Sequence, residues 1–141
     1  MVEKLLITIL GCGSSGGVPR IDGDWGDCDP NEIKNLRSRC SLLVQKFNVE
    51  NEVTTVLIDT SPDIRNQLLK ANVNSMDAVL YTHDHADQCG GIDDLRVFAL
   101  RKRKRVQVYL DEQTASRLIP VSYTHLRAHE TLRYLVCRLL L

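Results

Sequence analysis

The chain has 141 residues, 18 basic and 18 acidic, with 43% of positions apolar and 26% charged. That balance suits one soluble globular domain, and zero net charge argues against nucleic-acid binding through a broad basic face. No run approaches the roughly 20 apolar residues of a membrane-spanning helix, so no membrane partner is expected.

The N-terminal MVEKLLITIL is too short in apolar residues for a secretory signal. Five cysteines, Cys12, Cys28, Cys40, Cys89 and Cys137, form no CxxC pair and leave one over. Reduced thiols in a cytoplasmic protein are therefore expected.

In chain order, Leu5 to Leu10 is a buried-strand run ending at the glycine cluster GCGSSGGVPR, Gly11 to Arg20. A turn-rich segment, IDGDWGDCDPNEIKNLRSR, follows. Ser41 to Phe47 and Val53 to Ile58 predict two strands joined through NVENE as a hairpin. TSPDIRNQLLKANV predicts a helix with Ser61 as N-cap, Pro62 in its first turn, Ile64, Leu68 and Ala71 on one face, and Asn72 as the stop. Ala78 to Thr82 is a fourth strand running directly into a histidine. Asp93 or Asp94 is expected to cap a helix bearing Leu95, Phe98 and Ala99, finished by RKRKR at 101–105, a solvated basic end. Val106 to Leu110 is a fifth strand, and Asp111 caps a short helix ending before Pro120.

Two units follow from this pattern: an α/β unit over 1–120 and a helical tail over 121–141. The tail places Leu126, Leu132, Leu135, Val136, Leu139 and Leu140 in helical register with no cap. It also resembles the translation of sequencing-adapter read-through. His125 and His129 stand four apart within it, but the zincin order His-Glu-x-x-His is absent.

The strongest chemical signal is THDHADQ, Thr82 to Gln88. In extended chain His83 and His85 point to one side, so both imidazoles can reach one cation, and Asp87 offers an anionic oxygen nearby. Nitrogen-plus-carboxylate ligation suits Zn²⁺ or Mn²⁺, one ion or two. A solvated polar loop with incidental histidines is the plain alternative. In the glycine loop, Ser14, Ser15 and Gly16 could present donors to a phosphate, although glycines after a strand more often make only a tight turn. Cys28 and Cys40 fall short of a four-ligand zinc site. Asp59 reads on its own pattern as a turn-former or helix cap.

The His-x-His-x-Asp loop resembles that of the metallo-β-lactamase-fold hydrolases, whose signature is His-x-His-x-Asp-His. GCGSSGGVPR, the CDP followed by KNLRSRCSLLV, and GIDDLR at Gly91 to Arg96 resemble the cyclic-phosphate phosphodiesterases of phosphonate breakdown within that superfamily. The resemblance covers about residues 5 to 112. It implies an αβ/βα sandwich of which this chain carries the first αβ half. By the same resemblance His83 and His85 hold the first metal, Asp87 holds the second and orients or deprotonates the attacking water, and Asp59 orients the loop from behind. Gln88 stands where the signature has its last histidine, a weaker and neutral ligand.

The implied function is metal-dependent hydrolysis of a small (cyclic) phosphodiester by metal-activated water. The alternatives are a catalytically inactive metal-binding fragment and, more distantly, a structural or interaction module. Half a sandwich leaves one sheet face bare, so a poorly stable monomer or a homodimer through that face is expected.

Overall fold

The computed structural model describes residues 3–103 and 106–118. The expected tail over 121–141, with His125, His129 and Cys137, lies outside the described residues, as does the expected helix end before Pro120. Alternating aliphatic segments form five strands: β1 (Lys4–Gly11), β2 (Ser41–Phe47), β3 (Val53–Ile58), β4 (Ala78–Leu80) and β5 (Gln107–Tyr109). They lie side by side in sequence order. β1, β2 and β3 pair antiparallel, and β4 and β5 then add in parallel.

The β2–β3 hairpin closes where Asn48 Oδ1 accepts from the backbone N–H groups of Glu50 (2.9 Å) and Glu52 (2.8 Å). This local carbonyl mimic makes NVENE a turn.

β4 is shorter than the expected Ala78 to Thr82. Tyr81 N still donates to Tyr109 O (2.9 Å), but Thr82 N turns to the Asp59 carboxylate at 2.8 Å and leaves the sheet. β5 likewise loses one expected residue at each end.

Helix α1 (Ile64–Lys70) starts later than a Ser61 cap would place it. Ser61 Oγ accepts from Asp63 N (3.2 Å) and donates to Gln67 Oε1 (3.0 Å), tightening the turn before the helix instead of capping it. Its end is as expected: Asn72 adopts a left-handed φ of 53° and terminates the helix.

After the histidine loop come the short α2 (Ala86–Cys89), a 3₁₀ turn over Ile92–Leu95, and α3 (Arg96–Lys102). Asp93 and Asp94 are not caps. They sit inside the 3₁₀ turn, which starts at Gly91, and the turn runs into α3 without a break. Asp111 does cap, its Oδ1 accepting from Thr114 N at 2.6 Å, and helical residues follow over 112–118.

One sheet face is covered. Leu43, Leu57 and Val79 are almost wholly buried there against Ile64 and Leu68 of α1, with Met76, Tyr81 and Leu95 completing the core. Each such side chain contributes about 1.5–3 kcal/mol.

The opposite face carries two apolar rows across the strands, Ile7–Val44–Val56–Ala78 and Ile9–Leu42–Ile58–Leu80. Ile7 is 58% and Ile9 68% exposed on the β1 edge and Leu80 is exposed at the other end of its row, whereas Leu42, Val44, Val56, Ile58 and Ala78 are half-buried. Among the described residues no helix is long and apolar enough to cross a membrane.

Candidate metal centre

The histidine loop leaves the sheet at the C-terminal end of β4 and is fixed from beneath by a buried carboxylate. Asp59 follows β3 with a φ of 60°, a left-handed conformation that aspartate tolerates better than most residues. Its own N–H donates to Leu80 O (2.8 Å), tying the ends of β3 and β4 together. Its two oxygens are taken by one residue: Thr82 N donates to Oδ1 (2.8 Å) and Thr82 Oγ1 donates to Oδ2 (2.7 Å).

A hydroxyl has one proton. Thr82 gives its proton to Asp59, so its contact with His83 Nδ1 at 2.9 Å must be one in which the imidazole donates. In the neutral ring this places the proton on Nδ1 and the lone pair on Nε2, the tautomer a ligating histidine needs. Its ring lies edge-on to that of His85, with centroids 4.6 Å apart.

Asp87 sits on α2, whose first turn begins beyond His85. Gln88 is buried, and its Nε2 donates to Asp87 Oδ2 at 3.0 Å. Gln88 also anchors the loop through its backbone, accepting from Thr60 N at 2.7 Å. The structure thus pairs His83 with His85 and Asp87 with Gln88. Among the described residues it brings no three His, Cys, Asp or Glu side chains onto one metal position. The two imidazoles have the donor chemistry of a divalent-ion site but do not complete one.

Cys89 belongs to the support of this loop. Its Sγ donates to His83 O (3.2 Å), and burial, reinforced by the carboxylates of Asp59, Asp84 and Asp87, pushes the thiol up to about 11. It is a neutral thiol at pH 7, not a ready thiolate ligand. Beneath it, the Tyr81 hydroxyl meets Thr60 Oγ1 at 3.0 Å, and burial raises this phenol far above its ordinary range.

Two charged contacts were not legible in the motif. Arg117 Nη1 meets Asp84 Oδ2 at 3.1 Å, holding the Asp84 carboxyl below its usual range and tying the 112–118 helix to the loop. Arg39 forms a fork on Asp63, Nε to Oδ2 at 3.0 Å and Nη2 to Oδ1 at 2.8 Å, and its backbone N–H adds a third bond at 2.9 Å. The guanidinium hydrogen bonds keep Asp63 below the ordinary carboxylate value. Partners 24 and 33 residues apart leave no local signal. Thr82 did have one, its place between strand end and histidine.

The glycine loop is shaped by steric need. A Cβ on Gly11 would collide with Arg39 O and come within 2.5 Å of Gln67 Nε2, and one on Gly13 would lie 2.7 Å from Arg37 O. Both glycines let the loop press against residues 37–39. Ser14 and Ser15 are exposed in a turn closed by Gly17 N donating to Ser14 O (2.9 Å), and neither hydroxyl is hydrogen-bonded among the described residues. Gly16 faces a groove beside α1. Cys12, Cys28, Cys40 and Cys89 are free thiols, and Cys40 Sγ donates to Gly13 O (3.1 Å).

These features sit in a chain that belongs to the beta-lactamase superfamily domain family, whose model matches residues 54–134, more than half of its length. The fold is that of the metallo-β-lactamase class, seen here as a five-stranded αβ layer.

Among solved structures, a diphosphatase from the PhnP family superposes with a TM-score of 0.71 at 35% identity, over 86% of this chain and 48% of that one. Zn(2+)-bound PqqB from Methylobacterium extorquens shares the fold with a TM-score of 0.64 at 19% identity, over 95% of this chain and 45% of that one. A Porphyromonas gingivalis protein named octanoyltransferase is 40% identical over 98 residues, 70% of this chain but 19% of that protein. The chain spans about half the length of the solved structures it matches.

Proposed function

We propose that this chain carries part of the metal centre of a metal-dependent hydrolase acting on a small phosphate ester, a cyclic phosphodiester or a diphosphate. One observation carries the reading: the Asp59–Thr82–His83 chain of hydrogen bonds, which leaves His83 Nε2 as an acceptor beside His85. Hydrolase relatives support the reaction class, and the diphosphatase at 35% identity supports a phosphoryl substrate. The octanoyltransferase name belongs to a protein of which under a fifth is matched, and it does not direct the choice.

In this reading His83 and His85 hold the ion, Zn²⁺ or Mn²⁺, and Asp87 serves it or a neighbouring one. When bound, a divalent ion acidifies water and polarises a phosphoryl oxygen. The chain's own residues do the rest. Asp59 and Thr82 hold the His83 ring in one tautomer and orientation. Gln88 engages one oxygen of Asp87 and leaves Oδ1 to orient a water and accept its proton.

A second reading, a metal-binding unit without turnover, is favoured by the lack of a three-donor cluster among the described residues. Zn²⁺ and Mn²⁺ titration of the chain and of His83→Ala/His85→Ala tests the ligand assignment. Loss of binding in the variant is expected, and equal binding would overturn it. Turnover of bis(p-nitrophenyl) phosphate with metal, abolished by His83→Ala, favours the enzyme; stoichiometric binding without turnover favours the second reading.

A further inference from the structure

Lys34, Arg37 and Lys70 are exposed cations with no side-chain ion pair or hydrogen bond among the described residues. All three line one groove of about 590 Å³ between the glycine loop, residues 34–39 and α1. That volume falls within the roughly 300–1,000 Å³ of small-molecule sites. Its one described carboxylate, Asp63, is occupied by the Arg39 fork. Four basic side chains against one carboxylate leave an excess of three positive charges.

The same groove gathers apolar side chains that the core does not use. Ile9, Ile21 and Leu36 line it at 68%, 106% and 58% exposure. Its floor is held in place, because Gln67 Nε2 donates to Ser38 Oγ (2.9 Å) and Arg39 O (2.8 Å) while its Oε1 accepts from Ser61. Unpaired cations beside unburied aliphatic carbons on a fixed floor complement one kind of ligand, an anionic head joined to an apolar body. His83, His85 and Asp87 are not among the lining residues.

We propose that this groove binds a small organic anion, a phosphate or carboxylate head on an apolar body, independently of the metal loop. Calorimetric titration of the full chain in EDTA with hexyl phosphate, hexanoate, inorganic phosphate and hexanol tests it. One-to-one binding of hexyl phosphate or hexanoate is expected, and the tighter of the two names the head group. Inorganic phosphate and hexanol should bind at least about tenfold more weakly, since each offers half of the complement.

Arg37→Ala/Lys70→Ala and, separately, Lys34→Gln/Lys70→Gln should weaken binding about tenfold with an unchanged circular dichroism spectrum. His83→Ala/His85→Ala should bind as the parent does. Failure of both organic anions to bind, parental affinity in both charge variants, or loss in the histidine variant would overturn the proposal. So would binding lost in Ile7→Ser/Val44→Ser, which would move the ligand to the sheet face opposite α1.

Discussion

The histidine loop and the glycine loop both leave the sheet at a strand end, yet they are held by opposite means. The loop after β4 is fixed by side chains: Asp59 accepts from both Thr82 donors, Thr82 Oγ1 accepts from His83 Nδ1–H, and Cys89 Sγ donates to the His83 carbonyl. The loop after β1 is fixed through its backbone: Gly13 N donates to Ser38 O (2.8 Å), Val18 and Arg37 exchange two backbone bonds (2.9 Å each), and a Cβ on Gly11 or Gly13 would strike residues 37–39. A loop held by side-chain hydrogen bonds orients rings and fixes donor and acceptor roles. A loop held by backbone bonds and close approach sets shape.

Substitution should separate the two. Gly11→Val has the largest expected effect, since even the first carbon meets backbone oxygen. A loss of about 3 kcal/mol or more is expected in chemical denaturation. A loss below about 1 kcal/mol would mean that the glycine loop is not held by contact.

Asp59→Ala removes both acceptors of the Thr82 N–H and hydroxyl and should cost about 2 kcal/mol. Asp59→Asn suits the left-handed φ but offers one acceptor, and its cost should fall between those of Asp59→Ala and the parent. Equal stability of all three chains would remove Asp59 as the support of the loop.

Asp63 has its pKa lowered by Arg39, so its contribution is complete above the unfolded value of 3.8 and is lost as pH falls through the lower folded value. Asp63→Asn should therefore cost about 1 kcal/mol at pH 7, since solvent screens this part-exposed pair, and the gap to the parent should close in acid. A pH-independent gap would mean that the Arg39–Asp63 fork acts through shape and not charge.

Thr82→Val has the smallest expected cost to stability, about 1 kcal/mol, with a sharper effect on the ring. Zn²⁺ affinity should fall about 10–100-fold as His83 loses its partner. Unchanged affinity would show that the hydrogen-bond chain does not prepare the ligand.

Legibility in the sequence followed the range of the interaction. β2 and β3 were bounded by their own alternation and by the Asn48 turn, and Asn72 and Asp111 marked helix ends through contacts within a few residues. The Ser61 and Asp93/Asp94 caps failed because neighbours in space redirected those groups: Gln67 drew Ser61, and the backbone was already helical from Ile92. The His83/His85 pair was readable from extended-chain geometry. The fork between Arg39 and Asp63, and the tie from Arg117 to Asp84, were not.

By itself the sequence determined the strand order's raw material, the His-x-His-x-Asp loop and its family, because periodicity and short motifs are local. Tertiary structure alone decided three things. It set the tautomer of His83, because the Asp59 that fixes it comes from another strand. It buried one sheet face fully and the other only in part, because that depends on which elements pack. It gathered Lys34, Arg37 and Lys70 around one groove, because folding brings α1 against residues 37–39.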